Sequence, residues 1–388
     1  MSLTAKNVLD AVTEALGPVA AFTPLHEPEF SGNEGKYVMD CIDTGWVSSV
    51  GAYVDRIESD LCAYTGARHA VAMVNGTAAL HMALMVAGVK AGDEVIAPTL
   101  SFVATANAIA YCHAVPHFVD IEATTLGLDA AKLDAYLNDV ADKTDDGVVN
   151  KQSGKRIACV VAMHTFGHPV DIDALLAVCQ RWGLVLVEDA AESLGSTYKG
   201  KHCGTFGLVS AISFNGNKVV TTGGGGALLT NDEALAKRAK HLSTTAKTPH
   251  PWLYVHDEIG YNYRMPNLNA ALGCAQLEQL DGFVAEKRQL TQRYVDAFAG
   301  LDGVQVFVET DVANSNYWLN AILLDDAALR DPVLEALNGA KFMSRPAWTL
   351  LHKLVPFAGA PRMGDLSVAE RVEGTLINIP SSPKLVRA

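Results

Sequence analysis

From about residue 70 the chain repeats a simple pattern. Short, nearly continuous apolar runs rich in Val and Ile occupy 70–74, 94–97, 115–119, 157–163, 184–187, 211–214 and 227–230. Strands buried on both faces read this way, because neither face needs polar residues. Between the early runs lie helical patterns such as 77–86 and 171–181. Strand, helix and strand in series predict an α/β domain with a mostly parallel, seven-stranded sheet.

The alternation stops near residue 230. A loop-like stretch, 243–267, follows with Pro249, Pro251 and Pro266. A long helix is then expected from Leu268 to about Phe298, since Leu268, Ala271, Leu272 and Ala275 share one helical face. Strands are expected at 304–308, 317–323, 341–344 and 376–379, around a helix at 332–337. The pattern divides the chain into a large domain with an N-terminal arm, 1–265, and a smaller α+β domain, 266–388. The polar stretch 140–155 reads as an exposed loop of the large domain.

A chain of 388 residues with 49% hydrophobic and 19% charged residues is globular and long enough for a large core. Its net charge of −13 argues against nucleic acid as a partner, although a local site can still hold a small phosphorylated ligand. The longest apolar runs fall far below the ~20 residues that a membrane helix needs, so no membrane partner is expected. Lys6, Asp10 and Glu14 interrupt the N-terminal stretch, which does not read as a secretion signal. Seven cysteines at irregular spacing, with no C-x-x-C, read as reduced thiols in a cytoplasmic protein.

Four motifs follow strands or precede helices, where open parallel sheets bind their ligands. Asn75-Gly76-Thr77 opens a helix and suits a phosphate, or is an ordinary helix cap. Glu188-Asp189-Ala190-Ala191-Glu192 places acids after a buried run; Asp189 could hold a cationic ring nitrogen or simply cap a loop. Ser213-Phe214-Asn215-Gly216-Asn217-Lys218, followed by 223–226 as four glycines, offers a lysine that could form a Schiff base and a backbone that a ligand can approach. Gly260-Tyr261-Asn262-Tyr263-Arg264 precedes the long helix and otherwise reads as a structural loop. The pairs His113/His117 and His164/His168 do not fall on a helical face. No H-E-x-x-H, Walker or G-x-S-x-G motif occurs, so no metal site is expected. His164 ends a predicted strand and stays a candidate substrate contact.

Taken in order, these motifs resemble the pyridoxal-phosphate sugar aminotransferases of the DegT/DnrJ/EryC1/StrS group, a fold type I family, from about Thr23 to Pro383. The resemblance implies pyridoxal 5′-phosphate as cofactor. It makes Gly76 and Thr77 the phosphate turn, Phe102 the aromatic on the cofactor ring, Asp189 the partner of the ring nitrogen, Ser213 a phosphate ligand and Lys218 the Schiff-base lysine. Asn262 matches the residue that reaches the phosphate of the neighbouring subunit, which implies a homodimer with shared active sites. Many relatives carry Gln or His where this chain has Glu192, close to the cofactor's O3′, so the protonation state of Glu192 is open.

The likeness extends to the branch acting on UDP-linked 4-keto-6-deoxy-N-acetylhexosamines in legionaminic-acid or bacillosamine pathways, through 45–51, 188–195 and 249–269. It implies glutamate as amino donor and a nucleotide sugar as acceptor, in the biosynthesis of a surface amino sugar. The sugar is expected where Trp46, His164, Arg345 and Trp348 converge; for Arg345 and Trp348, a surface ion pair and a core position are the plain alternatives. Transfer to another keto sugar, at C3 or on dTDP or GDP, is the nearest alternative. A related sugar dehydratase carries His at the lysine position, which Lys218 argues against. A binding protein would not require Thr77, Asp189, Ser213 and Lys218 together.

Overall fold

All seven apolar runs form strands of one sheet. In the computed structural model, which describes residues 3–17, 21–145 and 147–387, their spatial order is His69–Met73, Gly226–Thr230, Val209–Ser213, Val185–Asp189, Arg156–Met163, Glu94–Pro98 and Val115–Val119. Residues 1, 2, 18–20, 146 and 388 of the two expected domains lie outside the described residues. Gly226–Thr230 runs antiparallel to both neighbours, and the remaining pairings along this path are parallel. Helices cover both faces, and their ends follow local chemistry. Asn75, Asp129 and Asp171 cap helix N-termini through their side-chain oxygens, and Gly66 and Gly183 end helices in the left-handed region.

The sheet has nine strands, not seven. Segment 140–155 is not an exposed loop: Ala141–Thr144 and Gly147–Asn150 form a hairpin whose second strand pairs antiparallel with Arg156–Met163. Its polar residues cluster at the tip, while Val148 and Asn150 are buried and the Asn150 amide donates to Glu94 Oε2 at 2.8 Å. The expected long helix is also two helices, Asn267–Leu277 and Leu280–Phe298. At the break the Gln279 side-chain amide donates to the Ala275 carbonyl, and the Gln279 backbone N–H turns to Gln276 instead. The first helix shares a core with Val54, Ile57 and Leu61 of the large sheet's flanking helix Ala52–Thr65.

The C-terminal part is built on an antiparallel sheet of Val304–Val306, Asn320–Leu324, Leu376–Ile379 and Arg345–Pro346. Its last strand lies just beyond the 341–344 run that the pattern indicated. Helix Ala5–Leu16 reaches across to this part and buries Val8 and Val12 with Tyr294, Phe298, Val333 and Leu337. The two parts are stitched together where Ala313–Asn314 pairs with Thr197–Tyr198.

Two glycines let the Asn75–Thr77 turn sit directly on the sheet. A Cβ on Gly76 would lie 2.6 Å from Ser213 Cβ, and one on Gly226 would lie 2.6 Å from the Asn75 carbonyl carbon and 2.7 Å from Ile212 O. The obstacles at Gly226 are all backbone, which cannot swing aside. Gly226→Ala should therefore lower unfolding stability by about 1–3 kcal/mol. Gly282→Ala, on a helix face where nothing lies within 4 Å, should raise it by about 0.5–1 kcal/mol. Denaturant midpoints of the two variants provide the check, and equal shifts would contradict the packing argument.

Candidate active site

The C-terminal ends of the central strands open into a cavity of about 320 Å³. Gly76 and Thr77 lie beside Ser213, Asp189 and Glu192 form the floor with Lys218 next to Glu192, and Phe102, Trp318 and Trp348 close the apolar walls. Each polar residue arrives there by a local rule. Strand Val185–Asp189 ends on Asp189, and strand Val209–Ser213 ends on Ser213. The turn after Ser213 is held by Lys218 N–H donating to the Asn215 carbonyl at 3.0 Å, which brings the lysine back over the strand end. Asn75 accepts the Ala78 N–H at 2.7 Å, so the first turn of helix Gly76–Val86 presents its positive end to the cavity.

Asp189 is buried. Its Oδ2 accepts a hydrogen bond from Thr105 Oγ1 at 2.7 Å, and its Oδ1 accepts one from the Ala191 N–H at 3.3 Å. Burial pushes its carboxyl up, and these donors only partly offset that. A buried carboxyl in this state gains most from a cation placed against it. Glu192 is buried too: its Oε2 accepts the Phe166 N–H at 2.8 Å, and its Oε1 lies 3.2 Å from Lys218 Nζ. Burial drives the Glu192 carboxyl up to about 7, while Lys218 and the Phe166 N–H pull the other way.

Phe166 donates from a left-handed turn, φ 56°, that a non-glycine residue adopts only at a cost. Its ring lies 4.8 Å from Trp348, which in turn lies 6.2 Å from Phe102. Phe102 is half exposed at the head of helix Val103–Tyr111 and faces the cavity. The helix start next to Ser213 suits a phosphate, the buried carboxylate of Asp189 a ring cation, Phe102 a flat ring, and Lys218 a carbonyl carbon. The residues present thus fit pyridoxal phosphate.

The structure brings Gly76, Thr77, Phe102, Asp189, Glu192, Ser213, Lys218 and Trp348 to this cavity, but not the other expected contacts. His164 is fully buried behind the floor: its Nδ1 accepts the Val170 N–H, leaving Nε2 to donate to Glu188 Oε2 at 3.1 Å. Glu188 also accepts N–H groups of Gly204, Phe206 and Gly207, and these bonds together with His164 outweigh the upward push of burial. This pair fixes the strand ends rather than meeting a ligand. Arg345 is exposed, its guanidinium donates to the Ser344 carbonyl, and it lies outside the cavity lining. Trp46 is 58% exposed and lies outside the cavity lining. The expected convergence of Trp46, His164 and Arg345 above the cavity does not form within this chain. Asn262 is exposed as well, its Oδ1 held by Arg264 Nε and Nη2 at 3.0 and 2.8 Å.

Four contributors were not foreseen. Thr105 stands about one helical turn after Phe102, and that spacing could have flagged it. Phe166, Asn316 and Trp318 carried no signal of their own. The Asn316 amide donates to the Glu192 and Leu194 carbonyls at 2.9 and 2.8 Å, tying the acidic loop to the C-terminal part.

Residues 28–388 match the model of the DegT/DnrJ/EryC1/StrS aminotransferase family. The chain is similar to the GDP-perosamine synthase of Vibrio cholerae, at 37% identity over 93% of this chain and 94% of that one. It is similar to the GDP-perosamine synthase of Caulobacter vibrioides, at 36% identity over 93% of each. The crystal structure of the aminotransferase TlmJ from Streptoalloteichus hindustanus superposes with a TM-score of 0.84 at 28% identity, covering 93% of this chain and 94% of that chain.

Glu192 gives a pH test of this geometry. Its folded value of about 7 lies above the unfolded 4.5, so the native state holds the proton longer. Its stabilising effect is complete below the unfolded value and fades as pH rises toward 7. Glu192→Gln removes that slope. Between pH 4.5 and 7.5 the variant should gain about 3 kcal/mol relative to the wild type, read from urea unfolding at both pH values. Parallel curves would mean that Glu192 ionises as freely as in the unfolded chain.

Proposed function

The chain belongs to the DegT/DnrJ/EryC1/StrS aminotransferase family, and from that premise we propose that it moves an amino group from glutamate to the C4 keto carbon of a nucleotide-linked 4-keto-6-deoxy sugar. It is a pyridoxal-phosphate-dependent sugar aminotransferase of fold type I. UDP-2-acetamido-2,6-dideoxy-4-ketohexose is the first acceptor we propose, on the resemblance of 45–51, 188–195 and 249–269 to the branch that uses it. GDP-linked 4-keto sugar is the second reading, favoured by the similarity to two GDP-perosamine synthases. The product would enter synthesis of a surface amino sugar such as legionaminic acid.

The observation that carries the reading is the meeting of Lys218, Asp189, Glu192, Ser213 and the Gly76–Thr77 helix start in one cavity. Pyridoxal phosphate supplies an electron-accepting ring and a carbonyl that exchanges with amino groups. Thr77 and Ser213 would hold its phosphate, aided by the positive end of the helix dipole. Asp189 would keep the proton on the ring nitrogen, and Thr105 keeps Asp189 in place. Phe102 would pack against the ring and exclude water. Lys218 Nζ moves the proton at the carbon that gains or loses nitrogen, acting as base and then as acid. Glu192, beside Nζ, sets the local charge at that step.

The site is completed by a second copy of the chain, a cytoplasmic homodimer in this reading. Asn262 lies outside the cavity of its own chain, and the segment leading to it exposes Trp252, Tyr254 and Ile259 at 75%, 81% and 86%. Apolar surface of this kind on a soluble protein marks an interaction face.

Two experiments test these proposals. Borohydride reduction of the holoenzyme should fix the cofactor on Lys218, and turnover with glutamate over UDP-, GDP- and dTDP-4-keto sugars should favour the UDP acceptor at least ten-fold in kcat/KM. A GDP preference selects the second reading, and trapping on a different lysine rejects the assignment of Lys218. For the shared site, Asn262→Ala and Lys218→Ala chains should each be nearly inactive alone. Mixed and allowed to exchange, they should regain part of the wild-type activity, because each hybrid dimer has one site with neither lesion. No recovery in verified hybrids would place Asn262 in the site of its own chain.

A further inference from the structure

Trp318 packs its ring against the amine of Lys218. Lys218 Nζ lies 3.6 Å from the centroid of the Trp318 ring, closer than the cation-over-ring contacts found elsewhere among the described residues. Trp318 is fixed at three points, one on its ring and two on its backbone. Its ring N–H donates to the Asn217 carbonyl at 2.6 Å, its backbone N–H donates to Asn316 Oδ1 at 2.8 Å, and its carbonyl accepts from Lys287 Nζ at 3.0 Å. Asn217 directly precedes Lys218, so the indole that faces the amine also holds the peptide that carries it. Lys287 is wholly buried and spends its donors on the Trp318 and Ser381 carbonyls. The indole is thus a rigid plate, buried at 5% exposure, that lines the cavity.

We propose that Trp318 is a positioning residue whose ring face is the seat of the Lys218 ammonium whenever that nitrogen carries no bond to the cofactor. The inference rests on the reading of Lys218 as the cofactor-bearing lysine. An ammonium is drawn to the face of an aromatic ring, most strongly to that of tryptophan, and more so where water is excluded. The Lys218 side chain is only 13% exposed, so its contact with the indole is poorly screened. Lys218 Nζ, so seated, lies 3.2 Å from Glu192 Oε1. A released lysine therefore stands against a ring face and within reach of a carboxyl group, from which it can return its proton. Trp318 reaches this place from the C-terminal part of the chain, just before strand Asn320–Leu324, whereas Lys218 belongs to the large domain.

The test varies the charge on the ring face and leaves its shape alone. Tryptophan at position 318 is replaced site-specifically by 5-fluoro-, 5,7-difluoro- and 4,5,6,7-tetrafluorotryptophan, which progressively drain the face of negative charge. Holoenzyme is converted with excess glutamate to the form in which Lys218 is free, then pulsed with limiting acetic anhydride, which acylates uncharged amines. Acylation of Lys218 is read by peptide mass spectrometry against exposed Lys237. It should climb with each added fluorine, reaching roughly two- to thirty-fold above wild type, with Lys237 unchanged. Trp318→Leu should match or exceed the last step if it folds. The fluorinated series does not depend on that variant. A flat series in folded protein overturns the seat. Borohydride trapping on a lysine other than 218 overturns the underlying reading instead, so the two failures are told apart.

Discussion

Two buried carboxyl groups face a single amine at the mouth of the central sheet, and much of the surrounding chain exists to make that arrangement tolerable. Removing a carboxylate from water is costly unless donors replace the water. Asp189 receives Thr105 Oγ1 and the Ala191 N–H, and Glu192 receives Lys218 and the Phe166 N–H. The last donor is available only because Phe166 accepts a left-handed backbone, at a cost on the order of 1–3 kcal/mol. Asn316 then pins the carbonyls of Glu192 and Leu194, so the loop cannot relax away from the lysine. Behind it, Glu188 gathers His164 and three backbone N–H groups, and the strand ends stay in register. The result is a stiff floor whose charge balance leaves Asp189 in want of a cation.

The large sheet was legible in the sequence because strands covered on both faces have no choice but to be apolar. The ends of those strands announced Asp189, Ser213 and Lys218, since an acid or a lysine right after such a run is conspicuous. The hairpin at 140–155 was hidden by its polar tip, although Val148 and Val149 are enough to pair with the neighbouring strand. The break after Leu277 was hidden because Gln279 is an ordinary helix residue whose side chain happens to compete for the Ala275 carbonyl. Helical periodicity does not register such a competition.

Residues that enter the cavity from the C-terminal part were the hardest to foresee. Trp318 and Asn316 are close to Lys218 and Glu192 only through the packing of one half of the chain on the other, and nothing in their neighbours announces it. For the same reason Arg345 looked like a strand-end cation aimed at a ligand, whereas the fold turns it outward. His164 was read correctly as a strand-end residue, but the side of the strand it faces is decided by Glu188. Asn262 and Trp46 both sit on the surface of this chain, where a single sequence cannot distinguish solvent from a second copy.

The antiparallel strand Gly226–Thr230 has a consequence for how the molecule comes into being. Strand His69–Met73 stands at the edge of the sheet, and its sheet neighbour is Gly226–Thr230, pairing Met73 with Gly226. As the chain leaves the ribosome, the turn at Asn75–Thr77 is made early, but the strand it rests on, Gly226–Thr230, is the last of the large sheet to be synthesised. Contacts so distant in sequence form slowly, because the intervening chain must be ordered before they are rewarded. Until then, strand His69–Met73 lacks the sheet neighbour that pairs with it, and unpaired strand edges are prone to aggregation. The Asn75–Thr77 turn is therefore synthesised long before the strand it rests on.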